Sequence, residues 1–314
     1  VHVLACDSRY RGADYALNME KVTLDLGSAM RHAREVLGYQ HVVLLGWSGG
    51  GSLSAFYQSQ AERPTVTSSP CGGGPDLTQA SLLQADALIM MAAHVSRHGT
   101  LTEWLDASII DECNPALRDA SLDLYEGDIN PPFDDAFLAR YHDAQIARNR
   151  KITDWVKNKL AGLIDAGRAH EEFAFVTHGT MADPRWLDPR VDPNDRAPGT
   201  CYLGDPRIAN NGPVGLARFC TLRSWLSQWS YDDANACGPT SLGRVTVPVL
   251  VVGNSADDAC TPQHTQRLFE AIGHTRKAMV TIKGANHYYM GQPELAAEAT
   301  TEVLNWLVDQ GFPV

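Results

Sequence analysis

No stretch of the sequence offers the roughly 18 consecutive apolar residues that a membrane-spanning helix needs. Cysteines are poorly spaced for metal or redox work: the seven, at Cys6, Cys71, Cys113, Cys201, Cys220, Cys237 and Cys260, include no C-x-x-C pair. Odd in number and scattered, they point to reduced thiols in a cytoplasmic protein and away from a metal centre. Positive charge is also short. With 26 basic against 37 acidic residues the net charge is −11, which argues against nucleic acid or an anionic membrane surface as the main partner. No signal-peptide pattern, internal repeat or low-complexity tract is visible. What is present is an ordinary globular composition, 44% apolar and 20% charged over 314 residues, long enough for one large domain or a core with a substantial insertion.

The most informative stretch is His41 to Ser52, HVVLLGWSGGGS. His41 to Leu45 is an apolar, β-branched run that reads as a strand. Gly46-Trp47-Ser48-Gly49-Gly50 follows at once, and a helix is expected over about Gly50 to Ala61. Strand, G-x-S-x-G, helix is the context in which a serine is lifted on a tight turn at a strand's C-terminal end. Glycines two before and two after Ser48 leave room for that turn. The Gly49 N–H then stands at a helix N-terminus, placed to bind developing negative charge. The plainer reading is a glycine-rich βα turn that happens to contain serine. A phosphate loop does not fit, because no lysine follows the glycines in the required frame.

Around this stretch the chain alternates strand and helix. Val1 to Cys6 reads as a strand, and Val22, Leu26, Ala29, Met30, Ala33, Val36 and Leu37 recur at helical spacing before Gly38. Ala85 to Ala93 is a continuous apolar run that suits a parallel strand covered on both faces. Its polar end carries His94 and His98, candidates for pocket residues like His178, although packing roles suit all three. The rhythm then lapses over about 99–244. One or two helices are expected across 134–166, and another from Pro213 with Leu216, Phe219, Cys220, Leu222, Leu226 and Trp229 on one face. The rhythm returns at Pro248 to Val252, a helix opened by Thr261-Pro262, a strand over Ala278 to Ile282 and a closing helix over about Pro293 to Asp309. The expected organisation is therefore a core in two parts, 1–98 and 245–314, with 99–244 inserted as a mainly helical cap. The fold class is α/β, with a mostly parallel sheet and helices on both faces.

A serine hydroxyl needs a neighbouring base, usually His, and that His needs an acid to fix its tautomer. In a parallel sheet such groups meet only at the C-terminal strand ends. Three loops qualify: Ser48, the pair Asp257-Asp258 after PVLVV, and His287 after the last strand. The order is Ser, Asp, His.

With GWSGGGS at 46–52, PVLVVGNSADDACTP at 248–262 and IKGANHYYMGQPE at 282–294, the chain resembles the α/β-hydrolases over roughly 1–98 and 245–314. DSRYRG at 7–12 resembles the family's loop after its fourth strand. That resemblance implies a Ser48–Asp258–His287 triad, with the acid placed by D-x-x-T-P and Asp257 as the alternative. Gly49 supplies one oxyanion donor. It also implies that the family's strands one to three, and the second oxyanion donor with them, lie before residue 1; a group near Arg9 to Gly12 is the other candidate donor. No cofactor is needed. The implied substrate is a small-molecule ester or related acyl compound, and the large cap suits a bulky or hydrophobic one. An acyltransferase, a carbon–carbon bond hydrolase and a non-catalytic binding protein of the same fold stay open. The serine argues against relatives that use an Asp nucleophile. Asp183, Asp188, Asp192 and Asp195 lack a calcium-loop pattern and read as solvated loop charges. Trp225, Trp229 and Tyr231 suit packing between cap and core better than an acyl pocket.

Overall fold

The computed structural model describes all 314 residues. Helix α1 (Met19–Arg31) starts at Asn18, whose side chain accepts the Lys21 N–H, and continues as a π turn to Val36 before Gly38 at φ +72° ends it. Strand β1 (Val43–Trp47) and helix α2 (Gly49–Glu62) flank Ser48. Strand β2 (Ala87–Met91) leads through a loop into α3 (Arg97–Trp104). After the middle segment come α8 (Gly238–Leu242), β5 (Val249–Asn254), α9 (Pro262–Ala271), β6 (Lys277–Ile282) and α10 (Pro293–Asp309). The middle itself holds α4 (Asp135–Asp165), β3 (Ala174–Val176), α5 (Pro184–Leu187), α6 (Pro206–Asn211), β4 (Phe219–Thr221) and α7 (Leu222–Ser224), which a π turn over Trp225–Trp229 extends.

The sheet is four-stranded, ordered β1-β2-β5-β6, and parallel throughout. Strand alternation sorts its residues to two faces. Leu88, Met90, Val249 and Val251 pack with Ala55 and Tyr57 of α2, Leu242 of α8 and Leu268 of α9. Ala87, Ile89, Met91, Leu250 and Val252 pack with Ala299, Val303, Trp306 and Leu307 of α10. Both β2 and β5 are buried along their full length, as a continuous apolar run demands of a central parallel strand. Because all four strands run the same way, their C-terminal ends share one edge, and Ser48, His94, Asp257 and His287 all follow such ends.

Two expectations are corrected, and a third is narrowed to one of its alternatives. Val1 to Cys6 forms no strand: it is exposed, makes no backbone hydrogen bond to the outer edge of β1, and an unpaired strand has nothing to stabilise it. The helix expected from Pro213 begins only at Leu222. Gly215 and Ala217 hold positive φ, and Phe219–Thr221 instead pairs antiparallel with Ala174–Val176. Across 134–166 the chain forms one helix of 31 residues, capped by the Asp134 side chain on the Phe137 N–H. Its apolar face is interrupted by Gln145, Arg148 and Asn149, which are buried but spend their polar atoms on carbonyls of other segments. No helix is long and apolar enough to cross a membrane.

Candidate active site

Ser48 sits between β1 and α2 at φ 51° and ψ −123°, a strained conformation for a residue with a side chain. Three backbone bonds hold it there. Its N–H donates to Met91 O at 3.0 Å, and its carbonyl accepts from Gly51 N and His94 N, each at 3.0 Å. The glycine requirement differs from the simple pattern. A Cβ on Gly46 would collide with the Gly50 carbonyl, and one on Gly51 with Ala93, whereas one on Gly50 would meet nothing. The close approach of α2 to β1 and to the chain just after β2 therefore selects Gly46 and Gly51, and Gly50 is free to vary.

His287 lies in the loop after β6 and is 3% exposed. Its Nδ1 is 2.8 Å from Asp257 Oδ2 and its Nε2 is 3.1 Å from Ser48 Oγ. A carboxylate only accepts, so Nδ1 carries the proton, and Nε2 faces the serine hydroxyl as an acceptor. The geometry corrects the expectation for Asp258. It is Asp257, fully buried, that meets His287. The cause is the turn after β5: Asp257 Oδ1 accepts the N–H groups of Ala259 and Cys260 at 2.8 and 2.7 Å, which aims the carboxylate inward. Asp258 points elsewhere. Burial, and then the neighbouring Asp257 charge, push its pKa up to about 6. Its carbonyl accepts from Trp186 Nε1 and that of Asp257 from Asn194 Nδ2, so the middle segment clamps this turn.

Asn254, at the end of β5, ties the Asp257 and His287 loops together. Its amide donates to Asn286 O at 2.8 Å and its carbonyl oxygen accepts from Tyr289 Oη at 2.7 Å. Sequence reasoning missed Asn254 and Tyr289, although an Asn closing an otherwise apolar strand was a visible signal.

Next to Ser48, where an oxyanion donor is expected, the Gly49 N–H has no backbone acceptor. Arg9 does not reach it, because its guanidinium and N–H are held by Asp25 of α1. The neighbouring cation is Arg97, whose Nε is 3.2 Å from where a Cβ on Gly49 would stand. Gln228 accepts from its Nη1 at 2.8 Å and Trp229 lies under the guanidinium, but no carboxylate pairs with it.

Aromatic rings line His287. Tyr288 is 4.4 Å from the His287 ring centroid, Tyr202 6.4 Å and His94 6.2 Å, while Trp104 packs on both His94 and Tyr202. His94 is 5% exposed, and burial, followed by the charges of His264, His287 and Arg97, drives its pKa well down, so it is neutral. His98 lies against Tyr231 and the His178 carbonyl accepts from Arg148; neither ring touches Ser48, Asp257 or His287. Trp225 and Trp229 are buried against α4, a packing role. The four loop aspartates are each engaged: Asp183 with Arg185, Asp188 with Arg190, Asp192 with the Gln263 N–H, and Asp195 with Ser255 and Lys283.

No family model matches the sequence, and no curated protein sequence does. Solved structures match weakly. A monoacylglycerol lipase from Paleococcus ferrophilus is 15% identical, with 93% of this chain and 76% of that chain covered at a TM-score of 0.42. An alpha/beta fold family hydrolase from Bacillus anthracis str. Sterne is 13% identical over 94% and 76%, at 0.37. A thermophilic esterase from Thermogutta terrifontis is 15% identical over 92% and 73%, at 0.38. At these values the likenesses assign neither activity nor substrate to this chain.

Proposed function

We propose that this chain is a serine hydrolase of the α/β-hydrolase type that cleaves a carboxylic ester or related acyl substrate. The observation that carries the reading is the unbroken line Asp257–His287–Ser48, ending on a serine held in a strained turn. Strain of this kind is retained where function requires it. Ser48 Oγ attacks the substrate carbonyl as its proton passes to His287 Nε2, and the buried Asp257 carboxylate stabilises the imidazolium. The Gly49 N–H, with the Arg97 guanidinium beside it, offsets the charge that develops on the carbonyl oxygen. His287 then returns the proton to the leaving alkoxide, which leaves an acyl group on Ser48. Water, deprotonated by His287, attacks the acyl carbonyl, and His287 hands that proton to Ser48 Oγ as the acid leaves. Every proton is accounted for by His287, and no cofactor enters the cycle.

Residues 99–244 act as a cap in this reading. Trp104 and Tyr202 from that segment stand beside His287 and His94 and suit an apolar acyl or alcohol group. A fluorophosphonate probe, which phosphonylates only an activated serine, tests the assignment. The wild-type chain is expected to label and Ser48→Ala is not. A folded wild-type chain that resists the probe, and turns over no p-nitrophenyl ester of any chain length, would sink the hydrolase reading.

A further inference from the structure

The triad's base has two further neighbours that hydrolysis does not use. His94 follows β2, Cys260 follows β5 and His287 follows β6, so the shared edge of the sheet brings them together from three separate loops. One ligand atom from each lies within 4.8 Å of the others, and the three side chains are 5%, 1% and 3% exposed. No carboxylate takes part, so this is not the acidic cluster that surfaces carry without consequence. The His94 Nδ1 is buried with no hydrogen-bond partner at all. An orphaned, buried imidazole nitrogen costs stability unless something satisfies it.

We infer that His94, Cys260 and His287 form an inhibitory site for a zinc-like divalent cation, which silences Ser48 by occupying its base. The site rests on the hydrolase reading for its effect on activity, but not for its existence. Two imidazoles and a thiolate are the donors that zinc prefers, at about 2.0–2.1 Å for nitrogen and about 2.3 Å for sulfur. Ligand atoms around such an ion stand about 3.5 Å apart, so the cluster closes on it by side-chain shifts of about 1 Å. His287 is already oriented as metal-bound histidines are: Nδ1–H is held by the Asp257 carboxylate, which leaves Nε2 as the free donor. Cys260 is fixed to the same carboxylate through its own N–H.

Binding is balanced in charge and protons. The cation displaces one proton from the Cys260 thiol, which leaves to solvent. The dication, the thiolate and the buried Asp257 carboxylate then sum to zero, as a water-poor site requires. The fourth tetrahedral position falls to Ser48 Oγ, 3.1 Å from His287 Nε2, or to water. With its Nε2 lone pair on the metal, His287 cannot accept the serine proton, and acylation stops.

The test uses the full chain, freed of metal by a chelator. Titration with cobalt(II) is expected to give the intense near-ultraviolet sulfur-to-cobalt charge-transfer band with tetrahedral d–d absorption, both lost on adding zinc. Zinc at micromolar levels is expected to block fluorophosphonate labelling, and chelation to restore it. Cys260→Ser is expected to lose the charge-transfer band and to weaken zinc about 100-fold or more, while still labelling in metal-free buffer. Asp257→Asn is expected to weaken zinc about 10–100-fold through the orientation of His287. His94→Gln gives a second weakened variant should Cys260→Ser fail to fold. A wild-type chain with no thiolate–cobalt band overturns the site, as does a Cys260→Ser chain that binds zinc as tightly as wild type. If the metal-free chain does not label but the cobalt band is present, the hydrolase reading fails and the metal site stands.

Discussion

β2 and β5 are buried from end to end and expose no charge, while α4 in the middle segment buries Gln145, Arg148 and Asn149 midway along its length. The sheet is held by apolar side chains sorted to two faces. The middle segment is held by apolar clusters and, between them, by buried ions. Arg148 bonds Glu112 and three backbone carbonyls. Arg185, 6% exposed, bridges Asp183 and Glu103, and Glu103 also meets the buried His264 of α9. Arg118 pairs with the buried Asp106. The difference has a physical consequence. Apolar burial is non-directional and tolerates repacking. A buried ion pair fixes one geometry and fails badly when one partner is removed. The sheet gives a robust frame for Ser48, and the ionic segment holds Trp104, Trp186 and Tyr202 against one another, with Trp104 on His94 and Tyr202 near His287.

The sharpest break in this comparison is in chemistry. Ser48→Ala is expected to lower ester turnover by about 10^6-fold, with almost no change in thermal midpoint, because it removes one hydroxyl from the sheet edge. Asp257→Asn is expected to cost about 10^4-fold through loss of the His287 tautomer, whereas Asp258→Asn should stay within about tenfold of wild type. Equal losses for the two aspartates in steady-state assays would refute the placement of the acid.

Next in size is the ionic segment. Arg185→Leu leaves the buried Asp183 without its cation, and Glu103 with only Arg267 and His264, and should destabilise the fold by about 3–5 kcal/mol in urea unfolding. A loss below about 1 kcal/mol would mean that the buried ions do not hold this segment. Within the sheet, Gly46→Ala should cost about 1–3 kcal/mol by forcing a methyl into the Gly50 carbonyl, and Gly50→Ala should be close to neutral. If the two variants unfold alike, the turn is looser than its close contacts imply.

The smallest effect concerns pH. Asp258 has its pKa raised in the folded chain to about 6 from its ordinary value of 3.8. The native state therefore holds a proton that the unfolded chain releases earlier. Stability from this group is full below about pH 4 and falls as pH rises through about 6. Asp258→Asn should remove that decline and leave the variant about 1 kcal/mol more stable than wild type at pH 8, the partial exposure of the side chain limiting the gain. Denaturant midpoints of both chains at pH 4 and pH 8 measure it; an unchanged difference between the two pH values contradicts it.

Much of the sheet was legible beforehand. VLLGW, ALIMM and VLVVGN are short apolar runs ended by turn residues, and each is a strand within two or three residues of its expected limits. The closing helix over Pro293–Asp309 announced itself through Pro at its first position and an apolar face at 299, 303, 306 and 307. The middle segment was less legible because its polar residues are turned inward. Gln145, Arg148 and Asn149 look like a solvated interruption of α4, and only their partners, which are distant in sequence, show otherwise. The same blindness hid Arg97, whose partner Gln228 is 131 residues away.

The sequence by itself determined that a serine would be lifted at the end of β1, and that an Asp and a His would follow later strand ends. Those features are local: a run of apolar residues, a glycine where a methyl cannot fit, a proline at a helix start. Only the tertiary structure decided that Asp257 and not Asp258 faces His287. Adjacent side chains in a turn point apart, and the choice is made by which carboxylate can accept the N–H groups of Ala259 and Cys260. It also decided that His94, only one of several candidate pocket residues in the sequence, and Cys260, unremarkable there, stand beside His287. Parallel pairing of β2, β5 and β6 gathers their C-terminal loops at one edge, and no spacing in the sequence records which side chains there turn toward one another.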